Sequence, residues 1–495
     1  MKKFVFIIIF FLSSFLVKAE KTYDFNATCR QAYQEINQLK INTGLALINQ
    51  AKKQNPENLI PVFLEDYVDF YVLFFNANPN DYKRLKRRID ERINMLIEGQ
   101  QSSPFYNYCL SVAYLHKAVI SAVFNEKITA AFDARKSYQY IKDNEKNFST
   151  FSPNALTYGC LQTVIGVIPK GYQWFTNLMG LKGSVSGGMK ILKDFVYSND
   201  PYARLMNVES SFVYGFLLFN IENKKDEALQ FIKERKLDVV NNHLLAYMAT
   251  NLNKNNQQTE VAKNIILNRN KSPEYLQTEV WDYELGYCQL HQMELRNAIN
   301  SFGNFVNNYK GNFYIKDVYQ KISWCYYLLG NMQAAQTARN NVLTKGNTVT
   351  DADMQALKEA KSGKWTNPFL LKIRILNDGG YNNEALQLLN EKSTNSFLKE
   401  EDKLEYAYRM GRVYDDLGKT KDAIANYLLT IQLGEHRTEY YAARAAWQIG
   451  LLYEKQGNKQ QAINYYNKCL GMDNHDYKNS LDQKAKSGIA RCKGE

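Results

Sequence analysis

Histidine is scarce: the 495 residues hold only His116, His243, His291, His436 and His475, and none stands at metal-ligand spacing with another histidine, a cysteine or a carboxylate. No metal site and no cofactor are expected. The seven cysteines (Cys29, Cys109, Cys160, Cys288, Cys325, Cys469 and Cys492) are odd in number, and every gap but the last, of 23 residues, exceeds 35. A disulfide framework shows an even count in a short chain, so free, buried thiols are expected instead. Catalytic signatures are missing too. Gly183-Ser-Val-Ser-Gly187 does not place its central residue as a nucleophile elbow does. The run from Gly183 to Lys190 carries Met189 where a phosphate-cradling loop needs lysine directly after its last glycine. Glu65 and Asp69 share a helix face, but they read as exposed carboxylates. The chain is not expected to be an enzyme. Beyond residue 19 it also lacks a long apolar run: IPVFLEDYVDFYVLFF (60–75) carries Glu65, Asp66 and Asp69 and reads as a core helix, since a span needs about 20 apolar residues.

What is present begins with MKKFVFIIIFFLSSFLVKAE. Two lysines, an apolar stretch from Phe4 to Val17 and the short residues around Ala19 mark a secretory signal, with cleavage expected after Ala19 and no transmembrane segment thereafter. Loss of Lys2, Lys3 and Lys18 lowers the formal charge from +12 to +9. An exported protein meets no cytosolic nucleic acid, so that excess points to phosphorylated lipid, acidic glycan or an acidic partner. The signal and the abundance of Asn, Lys, Ile and Tyr resemble exported proteins of Bacteroidetes-type bacteria.

Near the C-terminus, MGRVYDDLGKTKDAIANY (410–427) and IGLLYEKQGNKQQAINYY (449–466) share one grid. Counted from Gly411 and Gly450, tyrosine follows at three (Tyr414, Tyr453), glycine at seven (Gly418, Gly457), alanine at twelve (Ala423, Ala462) and tyrosine at sixteen (Tyr427, Tyr466). Upstream, Leu285, Gly286, Ala298 and Phe302 repeat it, as do Ile322, Ser323, Tyr326, Gly330 and Ala335, and Cys288 and Cys325 then take the same repeat position as small packing residues. Weaker copies centre on Ala228 and Ala385. The pattern is similar to the tetratricopeptide (TPR) repeat, two antiparallel helices that cross at a small residue from each, although its spacing of 39 exceeds the usual 34. Alanine intervals of 37, 50, 38 and 39 from Ala298 onward place a longer link around Thr344 to Asn367. The resemblance implies an all-α, TPR-type helical-hairpin solenoid, a right-handed superhelix with a concave groove.

The expected divisions are a signal at 1–19, an irregular helical region at 20–205, repeats at 206–473 and a capping helix at 474–495, apolar at Leu481, Ala485 and Ile489. In the irregular region, Leu85, Ile89, Ile93 and Leu96 form a buried stripe, and Arg84, Lys86, Arg87, Arg88 and Arg92 read as a solvated face. The Gly-punctuated insertion at 158–195 is the most unusual stretch. With its approach from Tyr114 it resembles a region of the inclusion-body-clearance family of TPR proteins, which implies an interaction scaffold.

In a TPR pair the first helix lines the groove. Inward-pointing positions then hold Tyr283, Tyr287 and Leu290, next Gln320, Trp324 and Tyr327, then Tyr408, Arg412 and Asp415, and last Trp447, Leu451 and Glu454. Tyr283, Tyr287, Trp324, Tyr327, Tyr408, Arg412 and Trp447 are the candidate partner-binding residues. Gly286, Ala298, Ala335, Gly411, Ala423, Gly450 and Ala462 are the candidate packing residues. The function expected is a scaffold that binds a protein or peptide segment in its groove, within the periplasm or cell envelope or after secretion. Glycan binding by the aromatic groove is the alternative.

Overall fold

The computed structural model describes residues 21–168 and 180–494, and every regular element among them is helical; two isolated bridges pair Lys21 with Gly99 and Thr22 with Asn58. The expected signal, and residues 169–179 of the insertion, lie outside the described residues. The fold class is all-α, built of helical hairpins as expected. No helix among the described residues is long and apolar enough to cross a membrane.

The chain divides into two compact units. Among the described residues, one comprises 21–74, 80–168, 180–210 and 274–276; the other comprises 75–79, 211–273 and 277–494. The first contains α1 (Ala27–Asn37), α2 (Ile41–Gln54), nearly all of α3 (Ile60–Asn76) and α4 (Pro79–Ile97), α5 (Pro104–Val123), α6 (Lys127–Asn147), α7 (Asn154–Gly166), α8 (Val185–Val196) and α9 (Pro201–Leu205); the end of α3, the start of α4 and most of α10 (Asn207–Asn220) fall across the division.

In α4 the stripe Leu85, Ile89, Ile93 and Leu96 is buried, but Arg92 is not on a solvated face: it is 4 % exposed and paired with Asp69 of α3. Asp69 is thus a buried ion-pair partner rather than an exposed carboxylate, while Glu65 pairs with Lys52 at 2.6 Å. The glycines of the insertion have a packing reason. A Cβ on Gly188 would lie 2.6 Å from the Gly159 carbonyl oxygen, and one on Gly183 would lie 2.4 Å from the Gly166 nitrogen. Gly183 to Lys190 carries the chain into α8. Ser184 caps α8 by accepting from the Gly187 N–H at 3.1 Å, so Gly187 and Gly188 fall in its first turn.

The second unit contains α11 (Lys225–Glu234), α12 (His243–Asn255), α13 (Thr259–Asn268), α14 (Val280–His291), α15 (Leu295–Asn308), α16 (Ile315–Leu328), α17 (Met332–Thr344), α18 (Asp351–Lys361), α19 (Pro368–Asp378), α20 (Asn382–Leu389), α21 (Glu400–Asp416), α22 (Thr420–Gly434), α23 (Tyr441–Lys455), α24 (Lys459–Leu470) and α25 (Lys478–Lys493). Its hairpins cross where side chains are smallest. A Cβ added to Gly286, Gly411 or Gly450 would fall within 2.6 Å of the ring of Phe302, Tyr427 or Tyr466 respectively, and Ala298, Ala335, Ala423 and Ala462 are fully buried. Gly330, Gly418 and Gly457 end first helices with φ of 78°, 72° and 77°, the left-handed region that spares glycine a steric penalty. The last helix, α25, buries Leu481, Ala485 and Cys492 against the final hairpin. All seven cysteines are free, six of them buried and Cys160 half-buried.

The long link between Ala335 and Ala385 is itself structured. Thr350 caps α18, and Ala356 and Ala360 face the α16–α17 pair. Asp353, fully buried, accepts from the backbone N–H groups of Tyr314, Lys316 and Asp317 at 2.8, 2.9 and 3.1 Å. One carboxylate thereby caps the start of α16 and fastens the inserted helix to it; burial raises its pKa.

Candidate functional site

First helices of successive hairpins, together with α11, α12, α18 and α25, border two cavities in the second unit. The cavity of about 450 Å³ is lined by Tyr283 and Tyr287 of α14, Arg412 and Asp416 of α21, Asp378 of α19, and Lys225 and Lys254 from α11 and α12. Here charge and aromatic surface alternate. The Lys254 ammonium stands 5.1 and 4.7 Å from the ring centres of Tyr283 and Tyr287 and pairs with Glu284 at 2.6 Å. The Tyr287 hydroxyl donates to Asp317. Burial holds both phenols well above their ordinary pKa, so they remain neutral donors. Arg412 donates to Asp416 at 3.2 Å. Burial, and then the nearby Arg412 guanidinium, lower the Lys225 pKa.

Three of the seven candidate groove residues, Tyr283, Tyr287 and Arg412, therefore line one cavity. The other four lie elsewhere. Trp324 is 6 % exposed, with the Lys321 ammonium 4.0 Å and the Arg374 guanidinium 4.9 Å from its ring. Tyr327 lies 4.7 Å from the Trp365 ring and donates to the Thr366 carbonyl at 3.2 Å. Both belong to the part of the molecule that the 344–367 segment covers, which explains why an inward position in that repeat offers little open surface. Tyr408, at 2 % exposure, sits among the rings of Tyr427, Tyr440 and Tyr441 and presents no surface to a partner. Trp447 is half-buried, and the Lys484 ammonium of α25 stands 5.2 Å from its ring.

The second cavity, of about 500 Å³, lies between α18 and the helices α19, α21, α23 and α25. Arg374, Arg444 and Lys484 bring positive charge to it, Tyr440, Tyr441 and Tyr477 bring rings, and Asp351 and Glu359 of α18 bring carboxylates. Arg444, one turn before the expected Trp447, was not among the sequence candidates. The signal for it was the Tyr440-Tyr441 pair a turn earlier, which extends the aromatic wall in the same direction.

Comparison with known proteins sharpens the repeat. Residues 443–476 match the tetratricopeptide repeat family model. That span runs from α23 through α24, the hairpin in which Gly450 meets Tyr466, so the chain carries a TPR repeat where its grid is clearest. No curated protein matches the sequence. Among solved structures, the chain is similar to a monomeric mutant of IFIT1 determined with Gppp-AAAA, at 12 % identity over 90 % of each chain and a TM-score of 0.37. It is also similar to the TPR domain of P58(IPK), at 13 % identity over 83 % of this chain and 95 % of that one, with a TM-score of 0.22.

Proposed function

We propose that this protein is an exported, non-enzymatic scaffold of the bacterial periplasm or cell envelope that holds a segment of a protein partner on the second unit. The observation that carries this reading is the cavity in which Tyr283, Tyr287 and Arg412 meet Lys225 and Lys254. Tyrosine offers a large contact area for few lost rotamers, and arginine and tyrosine are enriched among residues that dominate binding energy. TPR repeats generally mediate protein–protein interaction, which agrees with that lining. The lysines and arginine suit an acidic or carbonyl-rich segment, and Asp378 and Asp416 accept from its backbone N–H groups.

The test is affinity capture from an envelope extract by the wild-type chain and by the Lys225→Glu/Arg412→Glu double variant. A stoichiometric protein partner, retained by the wild type and lost by a variant of unchanged helicity, is the expected result. Retention on polysaccharide with no protein partner would favour glycan binding. Equal capture by a folded double variant would remove the cavity from the proposal.

A further inference from the structure

The 500 Å³ cavity poses a separate electrostatic problem. It falls in the usual size range of small-molecule pockets, roughly 300 to 1,000 Å³. Its charges are divided by wall. On α18 stand Asp351 and Glu359; facing them from α19, α23 and α25 stand Arg374, Arg444 and Lys484, with Glu405 of α21 held by the buried Arg409 at 2.8 Å. Glu359 accepts from Gln320 at 2.7 Å, and Arg374 lies 3.7 Å from Asp378. Arg444 and Lys484 differ from the rest: neither forms an ion pair among the described residues, and the Arg444 Nε is buried with no hydrogen-bond partner there. Two like charges on neighbouring helices, one with an unsatisfied buried donor, repel each other, and partial burial of its ammonium, together with Arg444 and Lys225, lowers the Lys484 pKa. A bound anion would satisfy both.

The remaining lining narrows the chemistry. A strongly acidic polypeptide would bring carboxylates against Asp351 and Glu359, whereas a ligand with one anionic group and several hydroxyls satisfies both walls. Its anion meets Arg444 and Lys484, and its hydroxyls donate to the α18 carboxylates. The rings of Tyr440 and Tyr477, with centres 5.1 Å apart, supply the apolar side against which a sugar ring packs. Beside Tyr477, Lys358 of α18 pairs with Asp476 at 2.6 Å and stands over the Tyr477 ring at 5.4 Å.

We infer that this cavity is a binding site for a small anionic saccharide, a sugar phosphate or sugar acid, anchored at its charged group by Arg444 and Lys484. The inference goes beyond the protein-segment reading and uses the other cavity, so either can fail alone. The experiment titrates the full chain calorimetrically with glucose 6-phosphate, glucuronate, glucose and inorganic phosphate. At least one charged sugar is expected to bind, about tenfold or more tighter than glucose and than phosphate alone, and to weaken as salt is raised. The two charged sugars separate a phosphate from a carboxylate source. Arg444→Gln and Lys484→Gln, the latter at an exposed position, should each lower affinity about tenfold while the melting curve is kept. Absence of binding by both charged sugars at about 10 mM would overturn the proposal. So would equal binding of glucose, equal binding of inorganic phosphate, or undiminished affinity in the folded Lys484→Gln variant.

Discussion

In the first unit, buried polar groups meet one another: Arg92 meets Asp69, His116 meets Asp66 at 2.7 Å with Phe70 stacked on its ring, and the Glu209 carboxylate accepts from the hydroxyls of Tyr33 and Tyr67. The second unit has such pairs too, as in Arg409 with Glu405, but there Arg444 and Lys484 border a cavity and, among the described residues, neither forms an ion pair. The difference separates two uses of charge. A buried ion pair between two helices fixes how they meet, and its loss is felt as stability. A cation without a partner contributes little to the fold and is available to a ligand. Cutting one group of each kind should give opposite results.

The largest effect is expected in the first unit. Asp69→Ala leaves the Arg92 guanidinium buried without its partner, which costs about 3 to 5 kcal/mol, whereas replacing both residues with leucine should recover most of the loss. Hydrogen-exchange mass spectrometry localises the change: faster exchange in peptides of α3 and α4 is expected for Asp69→Ala. If that variant and the double variant prove equally stable, the pair is not a structural lock. Trp324→Ala should be comparable in size, about 3 to 5 kcal/mol, because it removes a buried indole from between Lys321 and Arg374. The denaturation midpoint of the second unit reads it. An unchanged midpoint would mean that this tryptophan is available for binding after all.

The burial of Trp324 bears on how far the sequence could be read. The hairpins were legible because a crossing demands a small residue at a fixed spacing, and Gly411 beneath Tyr427 and Gly450 beneath Tyr466 keep that spacing at 39 residues. The groove was legible only in part, since inward position and open surface are different things. Trp324 and Tyr327 hold inward positions, but the 344–367 link near them folds into α18 and its flanks. The signal was in the sequence: Thr350 with Asp353 three residues on, then Ala356 and Ala360 one helical turn apart, is a cap followed by an apolar stripe. Arg92 and Asp69 failed for another reason. Periodicity within one helix does not disclose a partner on the next, so a buried arginine in a helix with the exposed Arg84, Arg87 and Arg88 reads as one more solvated charge.

Acid should separate the units further. Burial holds His243 and His291 of the second unit down at about 4, against 6.5 in the unfolded chain, with Asp378 partly offsetting this at His291. Between those values the unfolded state binds more protons, so their contribution to stability is complete above pH 6.5 and is lost as pH falls toward 4. In the first unit, burial raises the Glu209 pKa, which has the opposite sign: its cost to folding is relieved as pH falls. The second unit should therefore show the steeper loss from this pair, measured as the slope of unfolding free energy between pH 6.5 and 4. His291→Gln should flatten that slope whatever it does to stability at pH 7. An unaltered slope in both His291→Gln and His243→Gln would show that neither imidazole titrates in this range.

The smallest effects test whether small residues do in the second unit what closed ion pairs do in the first. Ala423 is fully buried where α22 crosses α21, so Ala423→Leu inserts three carbons into a filled contact, and overpacking of that kind typically costs about 1 to 3 kcal/mol. Gly418, five residues earlier, isolates the backbone term. Its φ is 72° and a Cβ there would touch nothing within 4 Å, so Gly418→Ala introduces left-handed strain alone, about 1 kcal/mol, without a clash. Gly411→Ala is the converse, because its Cβ would fall 2.5 Å from the Tyr427 ring while its backbone is ordinary helix. Thermal melts should thus rank Gly418→Ala as the mildest of the three. If Gly418→Ala were instead the most damaging, the turn and not the crossing would set the register of the hairpin, and the packing grid would have to be rebuilt around the αL glycines.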